Sequence, residues 1–131
     1  MLRALAVLAF ALIATLTAPA SVAQSAACVD GTAGGYACDR IDLVAHFTPQ
    51  ELGAPPEGAC PSPYPGLCAN DIWGWEDSET GRRYAIVGLA VGTAFVDVTT
   101  PSAPVRLGML PTATVPSSWR DVKALGDVAL V

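Results

Sequence analysis

Trp119-Arg120-Asp121 is the densest polar-aromatic cluster in the chain. An indole, a guanidinium and a carboxylate in a row could stack on a ligand, grip an anion and accept a hydrogen bond. The same groups could instead pair with each other and with loop backbone. Trp73 and Trp75 lie two apart, so on a strand they share one face. They form either a stacking platform for sugars or peptides, or the packing between sheets. Asp97 closes an apolar run just before Thr99-Thr100-Pro101. A carboxylate there accepts N–H bonds from the adjoining turn; a ligand or metal contact is the sharper alternative. Asp77 and Glu79 sit in one turn with Asp71 and Glu76 nearby, where calcium would be the chemistry to consider. No Asp-x-Asp-x-Asp-Gly spacing accompanies them, so calcium is the weaker reading and no other cofactor is expected. Asp30 and Asp39 are read the same way.

Catalysis finds little material. The chain has no Gly-x-Ser-x-Gly and no His-Glu-x-x-His, and His46 is its one histidine. A nucleophile, a base and an orienting group cannot be assembled from it. His46, without ligand-type neighbours, reads as a partly buried, hydrogen-bonded histidine. Zinc is disfavoured because no Cys-x-x-Cys pair exists.

These residues need elements to hold them. Residues 24–69 are turn-rich: CVDGTAGGYAC and APPEGACPSPYPGLC should be loops. Between them Ile41 to Phe47 is expected as a short strand. A single helical turn should come next, with Thr48 as N-cap, Pro49 at the first position, Glu51 three residues after the cap and Gly53 as the stop. From Asn70 four strands are expected, at 71–75, 83–89, 93–98 and 105–110. Asp77 to Gly81, Val91-Gly92 and the proline-stiffened 99–104 supply the turns. YAIVGL and TAFVDV are almost entirely apolar or small, as in strands buried on both faces. One four-stranded sheet cannot hide both its faces, so it needs neighbours, as a propeller blade does.

The pattern recurs. Asp71-Ile72 corresponds to Asp121-Val122, an offset of 50 residues, and Tyr84-Ala85-Ile86-Val87 corresponds to Val128-Ala129-Leu130-Val131, an offset of 44. The difference is a shorter turn at Gly126. Repeats of about 40 to 50 residues suit propeller blades. The sequence stops inside an apolar strand, and a ring needs 4 to 8 blades. The chain is therefore expected to be a fragment holding about one and a half blades. Alone, its open apolar edge should favour aggregation.

The N-terminus reads as an export signal. Met1-Leu2-Arg3 is a short basic start, Ala4 to Thr17 is almost purely apolar, and Pro19 breaks the run. Ser21-Val22-Ala23 places small residues where a signal peptidase reads, so cleavage is expected after Ala23. The apolar run falls short of the roughly 20 residues that a membrane span needs. A lipoprotein signal ending at Cys28 is the weaker variant. Export places Cys28, Cys38, Cys60 and Cys68 in an oxidising compartment, where an even count suggests disulfides. Of the three pairings, the local one, Cys28 with Cys38 and Cys60 with Cys68, is preferred because it closes short loops in a segment with little apolar material. The formal net charge of −5 becomes one unit more negative when Arg3 leaves with the signal. No basic cluster is present, which argues against nucleic acid or anionic membranes as partners.

NDIWGWEDSETGRRYAIVGLAVGTAFVDVTTPSAPVRLGMLPT, followed by SSWRDVKALGDVALV, resembles the exported bacterial choice-of-anchor B family. CVDGTAGGYACDRIDLVAHFTPQELG resembles that family's N-terminal segment, so the likeness covers nearly all of the mature chain. The motif NDIWGW-x(5)-G-x(2)-YA carries it. The family's LVIVD repeats are taken to fold as β-propellers, and its name refers to interchangeable C-terminal anchoring signals. The repeat departs from the pattern here: in Thr93-Ala94-Phe95-Val96-Asp97 only Val96 and Asp97 agree outright. The resemblance implies cell-surface attachment and no established reaction.

The sequence thus predicts an all-β propeller fragment. It comprises a signal peptide (1–23), a loop-rich disulfide-bonded segment (24–69), a first blade (70–117) and the start of a second (118–131). The expected role is a secreted or cell-surface, non-catalytic scaffold for an extracellular protein or ligand, completed by further blades. The main rival is a propeller enzyme whose active groups lie on other blades around the channel. A smaller one treats 24–69 as an independent disulfide-stapled module. Trp119, Arg120 and Asp121 are the candidate channel-facing residues, and Asp97 is a structural turn residue.

Overall fold

The computed structural model describes residues 25–56, 59–60 and 68–131. The expected signal peptide lies outside the described residues. The described residues form an all-β structure with one short helix. A two-residue hairpin, β1 (Thr32–Ala33) and β2 (Tyr36–Ala37), comes first, followed by α1 (Pro49–Leu52). Then come β3 (Ala69–Glu76), β4 (Arg83–Leu89), β5 (Gly92–Asp97) and β6 (Val105–Pro111). They form one antiparallel meander in the order β3-β4-β5-β6. A second hairpin, β7 (Lys123–Leu125) and β8 (Val128–Leu130), ends the chain.

The apolar runs decide where the core sits. Ala85, Val87 and Leu89 of β4 share one face with Ala94 and Val96 of β5, because directly paired residues point the same way. Leu52 of α1 joins Val87, Leu89, Ala94 and Val96 in the buried cluster, with Phe47, Val98 and Met109 against it. Arg106 Nε donates to the Leu52 carbonyl at 3.1 Å and ties α1 to β6. Leu52 and Phe47 therefore pack into the core of the sheet. The helix is capped as its sequence dictates: the Thr48 side chain accepts from Glu51 N, Glu51 answers on Thr48 N at 2.7 Å, and Gly53 ends the turn at φ +110°.

The expected strand over 41–47 does not form. Only Leu43 makes a bridge, to Ala26. The segment crosses the face of the sheet instead of lying along an edge, so Leu43 and Phe47 line a groove with Val87 and Val96. Conversely, the loop expected around Gly34-Gly35 contains β1 and β2, a tight reversal that positive φ at both glycines allows. Both local disulfides are present, Cys28–Cys38 with Cα atoms 5.9 Å apart and Cys60–Cys68 with 5.3 Å. No helix among the described residues is long and apolar enough to cross a membrane.

Candidate functional site

Arg120, Asp121, Trp73 and Trp75 converge on the seam where the β7–β8 hairpin meets the sheet. From Pro111 the chain folds back across the end of β4 and β5. Thr112 N donates to the Val91 carbonyl and Ser117 N to that of Ala90, each at 2.9 Å. Arg120 Nε donates to the Leu89 carbonyl at 2.9 Å. The path runs so close to β4 that a Cβ on Gly88 would overlap the Arg120 carbonyl oxygen and press on Val122. Glycine at 88 is thus required by approach, not by backbone angle. Gly88→Ala is expected to cost about 2 kcal/mol through forced displacement, read as a lower denaturation midpoint together with faster amide exchange at Val122.

Asp71 anchors the far end of the seam. Its Oδ2 accepts from Val122 N at 2.9 Å and from Lys123 Nζ at 3.1 Å, while Oδ1 accepts from Ile72 N at 2.9 Å. The Val122 N–H, then Lys123 and Ile72, hold the Asp71 carboxyl below its usual range. Asn70 Nδ2 donates to Asp121 Oδ1 at 3.1 Å alongside. Val122 between them is fully buried. The two tryptophans complete the contact on one shared face. Trp75 stacks on Tyr84 with centroids 5.3 Å apart and donates Nε1–H to the Gly126 carbonyl at 2.8 Å. Lys123 Nζ lies 4.6 Å from the centre of the Trp73 ring.

The cluster Trp119-Arg120-Asp121 therefore separates into distinct parts. Arg120 and Asp121 bind the seam, the first to backbone and the second to Asn70. Trp119 stands out into solvent at 74% exposure, its N–H resting on Ser117 Oγ at 3.1 Å.

Asp97 occupies the opposite end of the sheet. Its Oδ1 accepts from Thr99 N at 2.9 Å and its Oδ2 pairs with Arg82. Thr99, through hydroxyl and N–H, and then Arg82 lower the Asp97 carboxyl to about 2. A folded-state pKa below the ordinary carboxylate value stabilises the fold above about pH 4, and that contribution is lost as pH falls towards 2. Acid titration of the melting temperature should therefore show a decline between those limits. Asp97→Asn should melt several degrees lower at pH 7 and decline less steeply.

Asp77 is held by Thr80 and by Glu79 N at 2.9 Å, within its own turn. Among the described residues no group of three His, Cys, Asp or Glu is arranged to hold a metal ion. His46 is exposed, and its Nε2 lies 3.0 Å from the Tyr36 hydroxyl, with the rings 4.9 Å apart.

Sequence reasoning did not single out Asp71 as a seam residue, nor Asn70, Gly88 or Arg106. The signal for Asp71 was present: it is the residue that recurs at Asp121. Comparison with known proteins finds no matching family model, no similar curated protein and no similar solved structure.

Proposed function

We propose that the chain is an exported, non-catalytic β-propeller scaffold of the kind its sequence resembles, with one blade over 70–117 and a second beginning at 118. The observation that carries this reading is a match of registers. The β3–β4 pairs Trp73↔Ile86, Gly74↔Ala85 and Trp75↔Tyr84 become, on adding 50 to one strand and 44 to the other, Lys123↔Leu130, Ala124↔Ala129 and Leu125↔Val128. Those are the pairs of the second hairpin. The offsets come from side-chain similarity and the pairs from backbone geometry, so their agreement supports a structural repeat. Asp71 and Val122 then join consecutive units side by side, as blades around an axis require.

The scaffold role rests on chemistry. The polar groups of the seam are engaged with backbone or with each other, while broad apolar surface remains open at Leu107, Leu110 and Val128. Such surface serves packing or partner binding. Two disulfides fit an oxidising, extracytoplasmic location.

The test is expression with the native N-terminus in a bacterium that has an oxidising periplasm. A periplasmic product beginning at Gln24, with no free thiol, is expected. A cytoplasmic product retaining residues 1–23 overturns export. For the repeat, the Val122 amide should exchange slowly in the wild type and quickly in Asp71→Ala. Rapid exchange in both removes the blade reading.

A further inference from the structure

A cleft of about 550 Å³ separates the sheet from the second hairpin. Tyr84, Ile86 and Phe95 form its floor, Leu110 stands at the outer side, and Ala124 and Ala129 line the hairpin wall. Among the described residues β8 has a hydrogen-bonded neighbour on one side only, β7. The direction of its free groups can be read from the ladder. The two-residue turn Gly126-Asp127 closes on the pair Leu125↔Val128, which therefore exchanges both hydrogen bonds, and bonding alternates from there. Val128 and Leu130 direct their backbone groups to β7. Ala129 directs its N–H and C=O to the open side.

The first unit contains the answer to what such an edge accepts. By the offset of 44, Ala129 stands where Ala85 stands in β4. Ala85 is paired on its other side with Val96 of β5. The same alternation, counted from the closing pair Leu89↔Gly92, makes Ala85↔Val96 a hydrogen-bonded pair. Ala94 and Val96 point to the face that Ala85 occupies. At β8 that face looks into the cleft, because Ala124 and Ala129 line it.

We infer that this cleft takes one extended apolar strand of the β5 type, added antiparallel to β8 with a hydrogen-bonded pair at Ala129 and small apolar side chains turned onto Phe95 and Leu110. The inference rests on the repeat reading given above. An extended strand, rather than a compact ligand, suits the site because its polar demand is one line of backbone groups and its walls are apolar. The exposed side chains of β8, Val128 at 58% and Leu130 at 57%, carry no lysine or proline that would ward off pairing. The surface is continuous with the seam already formed between the sheet and the hairpin.

The test uses the purified chain and a capped synthetic peptide of its residues 92–99, Gly-Thr-Ala-Phe-Val-Asp-Val-Thr. Saturable binding is expected, with amide exchange at Ala129 slowed about tenfold or more. The same peptide methylated on the Val96 nitrogen loses the hydrogen bond to Ala129 and should bind about tenfold more weakly or not at all. Leu110→Glu, which charges the outer side of the cleft, should weaken the unmodified peptide likewise. No change at Ala129 with millimolar peptide, or equal binding of the methylated peptide, overturns strand docking. In that event a protected Val122 amide in the same spectra leaves the repeat reading standing, whereas an unprotected one removes both. Protection of Ala129 without peptide, rising with protein concentration as the chain dimerises, assigns the edge to a second copy and also overturns the inference.

Discussion

Leu89→Ala should lower the unfolding free energy by about 3 kcal/mol, within the range that fully buried leucines show. Leu89 is 0% exposed and sits in the cluster built by Leu52, Val87, Ala94 and Val96. Those neighbours come from the helix and two strands, each fixed by its own hydrogen bonds, so collapse into the void is opposed from several directions. The residue also holds the seam, because its carbonyl accepts from Arg120. A shift of the β4 end that partly fills the void would pull on that bond. The variant should therefore show two effects: a lower denaturant midpoint with unchanged slope, and faster exchange at Val122. Val105→Ala, at a site 56% exposed, should change stability by less than about 0.5 kcal/mol. A loss at Leu89 no greater than that would mean that the core does not close over β4.

What the sequence made legible is what local rules govern. The four strands of the sheet fall within two residues of expectation because Asp77 to Gly81, Val91-Gly92 and the two prolines of 99–104 punctuate dense apolar runs. The Thr48 capping box is a four-residue motif and was readable in full. Short Cys spacing made local disulfides the favoured pairing, and they are the ones present. The misread segment, 41–47, is alternating and apolar like a strand, but alternation reports a buried face and not a hydrogen-bonded edge. Here the buried face is met by laying the chain across the sheet.

The seam was hidden for a different reason. Arg120 bonds to a backbone carbonyl 31 residues away, and no side-chain pattern marks an acceptor that every residue possesses. Arg82 pairs with Asp97 across 15 residues, a partner that no local pattern marks. Gly88 reads as an interruption of an apolar strand until the returning chain is placed against it. Asp71 differs, since its recurrence at Asp121 marked it as part of a unit. Recurrence did not reveal that its carboxylate reaches Val122, 51 residues on, rather than its own turn.

The two disulfides should differ in reach although they close loops of similar length. Chain entropy assigns each about 3 kcal/mol. Cys28–Cys38 joins the exposed β1–β2 arm, which is tied to residues 42–43 by the Ala26–Leu43 bridge and by Asp42 accepting from Cys28 N. Replacing both of its cysteines with alanine should loosen that arm and leave exchange in β4 and β5 unchanged. Cys68 is 2% exposed and directly precedes β3, and its carbonyl accepts from Ala90 N at the turn between β4 and β5. Without the Cys60–Cys68 bridge, the start of β3 loses its tether at the point where Asn70 and Asp71 reach Asp121 and Val122. Cys60→Ala/Cys68→Ala is therefore expected to destabilise the whole sheet by about 3 kcal/mol and to speed exchange at Ala90 and Val122 together. Equal, local effects from the two double variants would contradict this. The order of the strands would then owe nothing to the second bridge, and packing of Leu52 on Val87 and Val96 would have to hold the entry to β3 alone.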